Sequence, residues 1–319
     1  MSCNQLAKLV KKNGNGRKEV HVFGFWWVRF CKFRNFFVNS VTFCNFCNSL
    51  GSLFTRKSSN IFGFSLAYSY LCPPVMKQKY ALFFDIDGTL VSFQTHEIPA
   101  STIFALTQAK ANGSRVYIAT GRPPLIITNM GAIEHLIDGY ITTNGALCYV
   151  ENEMVTCQPI PKEDVMTCVE DAQTNAYGLI VIGRKDVAVL DPKGDVDRIF
   201  RPMLAVNKLD QASPLDVVLQ QDILQLTAFF PVDYEPGLMA RMPQCVSGRW
   251  HPEFTDITAN GADKGKGILA MARHEGFDPN RTMAFGDGGN DTSMILQAGI
   301  GVAMGNAIDA LKQQADYKL

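Results

Sequence analysis

The amino-acid sequence predicts an α/β fold: a parallel sheet with helical crossovers, interrupted by an α+β insertion. Three features of the sequence lead there. Short, almost wholly apolar runs end abruptly in polar, glycine-bearing loops, as strands buried on both faces do. Helical stretches separate these runs, which implies parallel pairing through right-handed crossovers. Between about residues 147 and 255 the pattern changes to alternating strands mixed with helices, a grammar foreign to a purely parallel sheet.

The elements follow in order. Tyr80-Ala81-Leu82-Phe83-Phe84 reads as a buried strand leading into Asp85-Ile86-Asp87-Gly88-Thr89. A helix is expected from about Ser101 to Asn112, stopped by Gly113. Arg115 to Ala119 forms a second buried strand that enters Thr120-Gly121-Arg122-Pro123, and Gly139 to Gly145 makes a third such transition. Within the insertion, strands are expected at Ala146–Val150, Leu179–Val181, Val187–Leu190 and Leu226–Phe230, with helices at Lys162–Asn175 and Asp195–Leu204. The first grammar then returns. Lys264 to His274 is helical, Thr282 to Phe285 is a strand, and Gly286-Asp287-Gly288-Gly289-Asn290-Asp291 is its loop. Thr292 to Ala298 is helical and Gly301 to Met304 a short strand, after which Asp316 to Leu319 opens like another strand. A covering helix is missing there, which suggests an early C-terminal stop. The expected organisation is a leader (1–75), a first core part (76–146), the insertion (147–255) and a second core part (256–319).

The chain has 319 residues with 30 basic and 30 acidic side chains, but the balance is uneven. Residues 1–75 hold ten Lys or Arg and one acid, Glu19, hence +9, so the remainder holds −9. A near-neutral whole argues against a general nucleic-acid binder. The leader has no helical or strand period. Phe36 to Phe54 is uncharged but diluted by Asn, Ser and Thr, so no membrane span is expected. The preferred reading is that the leader is not part of the working protein, which would begin at Met76 in the cytoplasm; an organelle-directed leader is the lesser alternative. Cys44 and Cys47 have the spacing of half a zinc site without a second half. Cys148, Cys157, Cys168 and Cys245 read as reduced thiols filling space.

In open α/β sheets the site lies outside the carboxyl ends of the strands. The loops there gather four carboxylates (Asp85, Asp87, Asp287, Asp291), the Thr120 hydroxyl, the Asn290 amide and, nearby, Lys264. Two unit charges about 4 Å apart repel by roughly 4 kcal/mol at an effective dielectric near 20. A hard divalent cation relieves that repulsion, and an all-oxygen carboxylate and water shell suits Mg²⁺.

Taken together, the Asp85–Thr89 motif, Thr120-Gly121-Arg122, Lys264 and the Gly286–Asp291 loop resemble the haloacid-dehalogenase superfamily of phosphohydrolases. The tail Gly299 to Ala307 is similar to its Cof-type branch, which carries a large α+β cap after the second motif. The resemblance spans about Lys79 to Leu319 and implies a Rossmann-like core. It further implies a two-step phosphoryl transfer. Asp85 would attack phosphorus, and Asp87 would protonate the departing alkoxide and then deprotonate water. Thr120 would hold phosphoryl oxygens, and Lys264 would balance charge. Asp85, the Asp87 main-chain carbonyl and Asp287 would bind Mg²⁺, with Asp291 supporting or joining them. Gly88 permits close backbone approach to phosphate, and Gly121 is expected among the phosphate-binding residues. Asn290 orients the nucleophile or binds phosphate.

Other residues keep two readings. Arg122 touches phosphate or makes a salt bridge between loops, and Asn144 is a hinge or a substrate contact. Lys266 is a surface lysine. In the cap, Arg249, Trp250, His251 and Glu253 either hold a sugar ring or form an ordinary hairpin. A cap that closes over the site leaves room for a small phosphorylated metabolite. Sugar phosphates come first, with flavin mononucleotide and pyridoxal phosphate behind them. A phosphomutase, a dehalogenase and a catalytically silent sugar-phosphate binder are the rival readings, the dehalogenase disfavoured because it has no use for Asp87 as an acid.

Overall fold

A computed structural model describes residues 79–319 except 93–94, 201, 203–208 and 210–211. The readings made for residues 1–75 lie outside this set. Strand β1 (Ala81–Phe84) is wholly buried and is followed by helix α1 (Ala100–Ala111), β2 (Arg115–Ala119) and β3 (Gly139–Thr142). Next come β4 (Leu147–Val150) and β5 (Glu153–Cys157), joined by a two-residue turn whose Glu151 has φ 51°.

A second body starts with α2 (Lys162–Asn175) and continues through β6 (Leu179–Gly183) and β7 (Val187–Leu190). It ends with α3 (Leu215–Val218), β8 (Ile223–Ala228), α4 (Glu235–Met239), β9 (Cys245–His251) and β10 (Phe254–Ala259). The chain then returns to the first body with α5 (Lys264–His274), β11 (Thr282–Gly286) and α6 (Thr292–Gln297). Last come β12 (Ile300–Ala303), α7 (Asp309–Gln314) and β13 (Tyr317–Lys318). In the helix expected over 195–204, the described residues 195–200 and 202 are helical, with a π-helical stretch at Val196–Phe200.

The first sheet has eight strands in the order β13-β12-β11-β1-β2-β3-β4-β5. Every pair from β13 to β3 is parallel, whereas β3–β4 and β4–β5 are antiparallel. The second sheet is antiparallel, in the order β7-β6-β8-β10-β9. The α/β expectation with an α+β insertion therefore holds, but the insertion starts later than residue 147. Residues 147–157 form a hairpin that extends the core sheet, because β3 offers β4 an unpaired edge (Gly139↔Val150 through Thr142↔Leu147). At the other end, β10 keeps residues 254–259 in the inserted sheet, past the expected limit of 255.

The core is built around β1, whose Ala81, Leu82 and Phe83 have no solvent exposure. Adjacent strands stack their aromatics, Phe83 on Tyr117 at 4.8 Å and Phe84 on Phe285 at 4.5 Å. Each such side chain contributes about 1.5–3 kcal/mol by leaving water. Helix α5 lies unusually close to its neighbours because glycine lines its contact faces. A Cβ on Gly265 would sit 2.5 Å from the Ser293 carbonyl, and one on Gly267 would sit 2.8 Å from Ile141. Asp263 caps this helix by accepting from the Lys266 amide at 2.8 Å. That close seat delivers Lys264, the first residue of α5, to the ends of β1 and β11. Lys266 is exposed, as expected.

Candidate active site

Asp85 follows β1 directly, and its amide donates to the Phe285 carbonyl at 3.0 Å, which ties the ends of two adjacent strands together. The chain then turns tightly, with Gly88 at φ 82°, a conformation that glycine adopts without strain. Asp287 and Asp291 come from the loop after β11. The Asp291 Oδ2 accepts from the amides of Asp287 and Gly288, both at 2.9 Å, so this side chain shapes the loop that carries it.

Lys264 is 1% exposed and donates to Asp85 Oδ1 at 2.8 Å and Asp291 Oδ1 at 2.7 Å. Asp85, Asp287 and Asp291 bring one oxygen each to within 4.8 Å of one another. Burial pushes the Asp85 carboxyl well above the usual range; Lys264 opposes this, and Asp291 and Asp87 push it further up. Burial and the Asp291 charge likewise push Asp287 up to about 6. The two carboxylates hold Lys264 charged against its own burial. One lysine thus serves a cluster with more negative charge than it can neutralise. That deficit and the all-oxygen donor set fit a hard divalent cation, with Asp85 and Asp287 able to hold it.

Thr120 is buried at the end of β2, and its hydroxyl oxygen accepts from the Arg122 amide at 3.1 Å. Its proton remains available to an incoming acceptor. Arg122 grips Asp87 with two bonds, Nε to Oδ2 at 2.8 Å and Nη2 to Oδ1 at 2.7 Å, while Nη1 donates to the Ile126 carbonyl. Of the two readings of Arg122, the structure has the salt bridge between loops. Asn144 lies in a left-handed turn (φ 52°) that supports the Thr120 loop: its amide donates to the Thr120 carbonyl at 3.1 Å, and its Oδ1 accepts from Asn290 at 3.1 Å. It braces two loops, whereas Asn290 lines the cavity itself.

A cavity of about 440 Å³ joins Asp85, Asp87, Thr120, Gly121, Arg122, Asp287 and Asn290 to Phe200, Gln225, Arg249 and Asp256 of the second body. From the polar cluster expected in the insertion, Arg249 reaches this cavity. Glu253 instead pairs with Arg198 at 3.1 Å, His251 stacks on Phe254 at 4.9 Å, and the Trp250 side chain lies outside the described set. The sequence reading missed Thr89 and Asn306, which donate to the two oxygens of Asp287 at 3.1 and 3.0 Å. It also missed Gln225 and Asp256. For Gln225 the signal was available as a polar residue that alternates with Thr227 in an otherwise apolar strand; Asp256 stands among threonines and has no such signal.

Acidic loops at the carboxyl ends of parallel strands, a lysine between them and a lid-like second body define a phosphate-ester hydrolase of the α/β class. Residues 82–319 match the haloacid dehalogenase-like hydrolase family, and the chain belongs to it, in its Cof-type branch. Over 238 residues it is 31% identical to "Putative phosphatase YkrA" of Bacillus subtilis, spanning 74% of this chain and 90% of that one. It is 30% identical to the pyridoxal phosphate phosphatase YbhA of Escherichia coli, spanning 73% and 90%. The solved structure of the subclass IIB sugar phosphatase BT4131 aligns with a TM-score of 0.70 at 44% identity, covering 76% of this chain and 93% of that one. The protein is a phosphatase.

Proposed function

We propose that the protein hydrolyses small phosphate monoesters, foremost sugar phosphates, with Mg²⁺, through an aspartyl-phosphate on Asp85. The observation that carries this reading is the cluster of Asp85, Asp287 and Asp291 oxygens within 4.8 Å, partly neutralised by a buried Lys264, beside a cavity that Asp85, Asp287 and Thr120 line. The kinship to a sugar phosphatase and a pyridoxal phosphate phosphatase supports the substrate class.

In this reading Lys264 occupies one oxygen of Asp85, which leaves Oδ2 as the nucleophile. Thr120 donates to a phosphoryl oxygen, Gly121 and Asn290 line the same pocket, and Gly88 makes the turn after Asp87. Asp85, the Asp87 main-chain carbonyl and Asp287 would hold Mg²⁺, and Asp291 supports them through the loop amides and Lys264. When bound, the ion supplies the positive charge the carboxylates lack and lets an anionic ester enter. Asp87 protonates the leaving oxygen and later accepts a proton from water. To do so it must release at least one of its Arg122 bonds, so Arg122 positions the acid and sets when it is free. Residues 76–157 and 260–319 act as the core and residues 158–259 as the cap.

The test is phosphate release from a panel of phosphomonoesters with Mg²⁺, with EDTA and in the Asp85→Asn variant. We expect Mg²⁺-dependent turnover that falls at least about 10⁴-fold in Asp85→Asn, consistent with losing covalent catalysis. Absence of release from every ester by folded, Mg²⁺-loaded protein sinks the reading.

A further inference from the structure

The roof of the cavity carries two buried polar atoms that no protein group among the described residues satisfies. On β8, Gln225 is 2% exposed, and its neighbours on the same sheet face include Ile180, Ile182 and Phe254. Its hydrogen-bond chain has a fixed direction. Thr227 spends its hydroxyl proton on Asp256 Oδ1 at 2.7 Å, so towards Gln225 it can only accept, and it takes Nε2 at 3.3 Å. The amide oxygen Oε1 is therefore the end left over, and it is buried without a partner. Arg249 shows the opposite sense. Its Nε donates to Glu235 at 2.5 Å and its Nη1 to the carbonyls of Phe230, His251 and Pro252, which immobilises the guanidinium. Its Nη2 is buried and unpartnered.

Both residues line the cavity that Asp85, Asp87 and Asp287 also line. Buried polar groups are normally paired, and an unpaired one is costly to keep. One orphan accepts and the other donates, and a hydroxyl does both. An apolar or purely aromatic leaving group leaves each of them unsatisfied. We propose that Gln225 and Arg249 form a leaving-group subsite that reads hydroxyls: Gln225 Oε1 accepts from one, and Arg249 Nη2 donates to one. The preferred substrates are then phosphate monoesters of polyhydroxylated, sugar-like alcohols. This rests on the phosphatase reading above and goes beyond it by assigning specificity to a pair of cap residues. A site built to bond hydroxyls discriminates strongly against the analogue that lacks them.

The experiment compares kcat/KM for glucose 6-phosphate and for cyclohexylmethyl phosphate, a ring of the same size without hydroxyls. The full chain is used with Mg²⁺. Wild type is expected to favour the sugar ester by at least about 30-fold. Gln225→Leu removes the orphan oxygen at similar volume, and the preference should shrink at least about tenfold while Tm stays level or rises. Arg249→Lys keeps the charge but loses Nη2 and should shrink it as well, which keeps the test open if Gln225→Leu folds poorly. A wild-type preference below about twofold, or an unchanged ratio in a folded variant, overturns the subsite and leaves the phosphatase standing. Turnover of neither ester, nor of any other phosphomonoester, overturns the phosphatase reading itself.

Discussion

Asp171 in helix α2 and Asp85 at the end of β1 are 7% and 6% exposed, yet their surroundings push them in opposite directions. Burial alone raises both. Around Asp171, hydrogen bonds from Tyr234, Arg241 and Tyr177 more than offset it, and the carboxyl lies below its ordinary value. Around Asp85 only Lys264 helps, while Asp291 and Asp87 add negative charge, and the carboxyl lies well above. The second body thus contains an acid whose partners are all protein groups, and the core contains acids still short of one. A saturated cluster holds a structure together; an unsaturated one is poised for a cation and an electrophile.

The sharpest way to break this contrast is Lys264→Met. Removing the one cation from a buried triad leaves uncompensated charge, which costs about 3–5 kcal/mol. We expect a loss of that size in metal-free urea unfolding, together with at least about 10²-fold lower turnover. Unchanged stability would mean that the three groups are not coupled.

Asp171→Asn should give a smaller and purely structural effect. Losing charge-assisted bonds costs about 1–3 kcal/mol, at the low end here because Arg241 is half exposed. Turnover should stay within about twofold. Because the native carboxyl is depressed, its stabilisation is complete above the unfolded value of 3.8 and is lost as pH falls through the lower native value. The gap between wild type and variant should therefore be flat from pH 5 to 7 and close below about 4 in denaturant titrations. A gap that widens on acidification contradicts the assignment.

Asp287→Asn sharpens the other side. Its native carboxyl sits at about 6 against 3.8, so between those values the folded protein binds the extra proton and wild-type stability falls as pH rises. Without metal, the variant should be more stable than wild type by ~1 kcal/mol above pH 6, a value reduced for partial solvation, and the difference should vanish near pH 4. Mg²⁺ should raise the Tm of wild type and leave the variant's Tm nearly unchanged. A variant that loses stability at pH 7 without metal would show that Asp287 is already satisfied.

Much of the site was legible because its motifs are local. Asp85, Asp87 and Gly88 punctuate an apolar run, and Lys264 opens a helix expected over Lys264 to His274. Other parts were not legible. The 147–157 segment alternates as any strand does, and nothing in its pattern says that its partner is β3 and not the inserted sheet. Arg122 was readable as a phosphate contact or as a salt bridge between loops, but that Asp87 is its partner depends on two loops 35 residues apart meeting. Gln225 lay outside the expected strand Leu226–Phe230, and only its contacts with Thr227 and, through it, Asp256 reveal which end of its amide is spare.

Residue type and period by themselves determined the strand-and-loop units and the chemical inventory of this protein, since burial pattern and turn chemistry act within a few residues. Which oxygen is taken, which edge is paired and which buried atom goes without a partner were decided by the tertiary structure alone. Hydrogen bonds and charges are settled by neighbours in space, and here those neighbours come from positions as distant as Asp85 and Lys264.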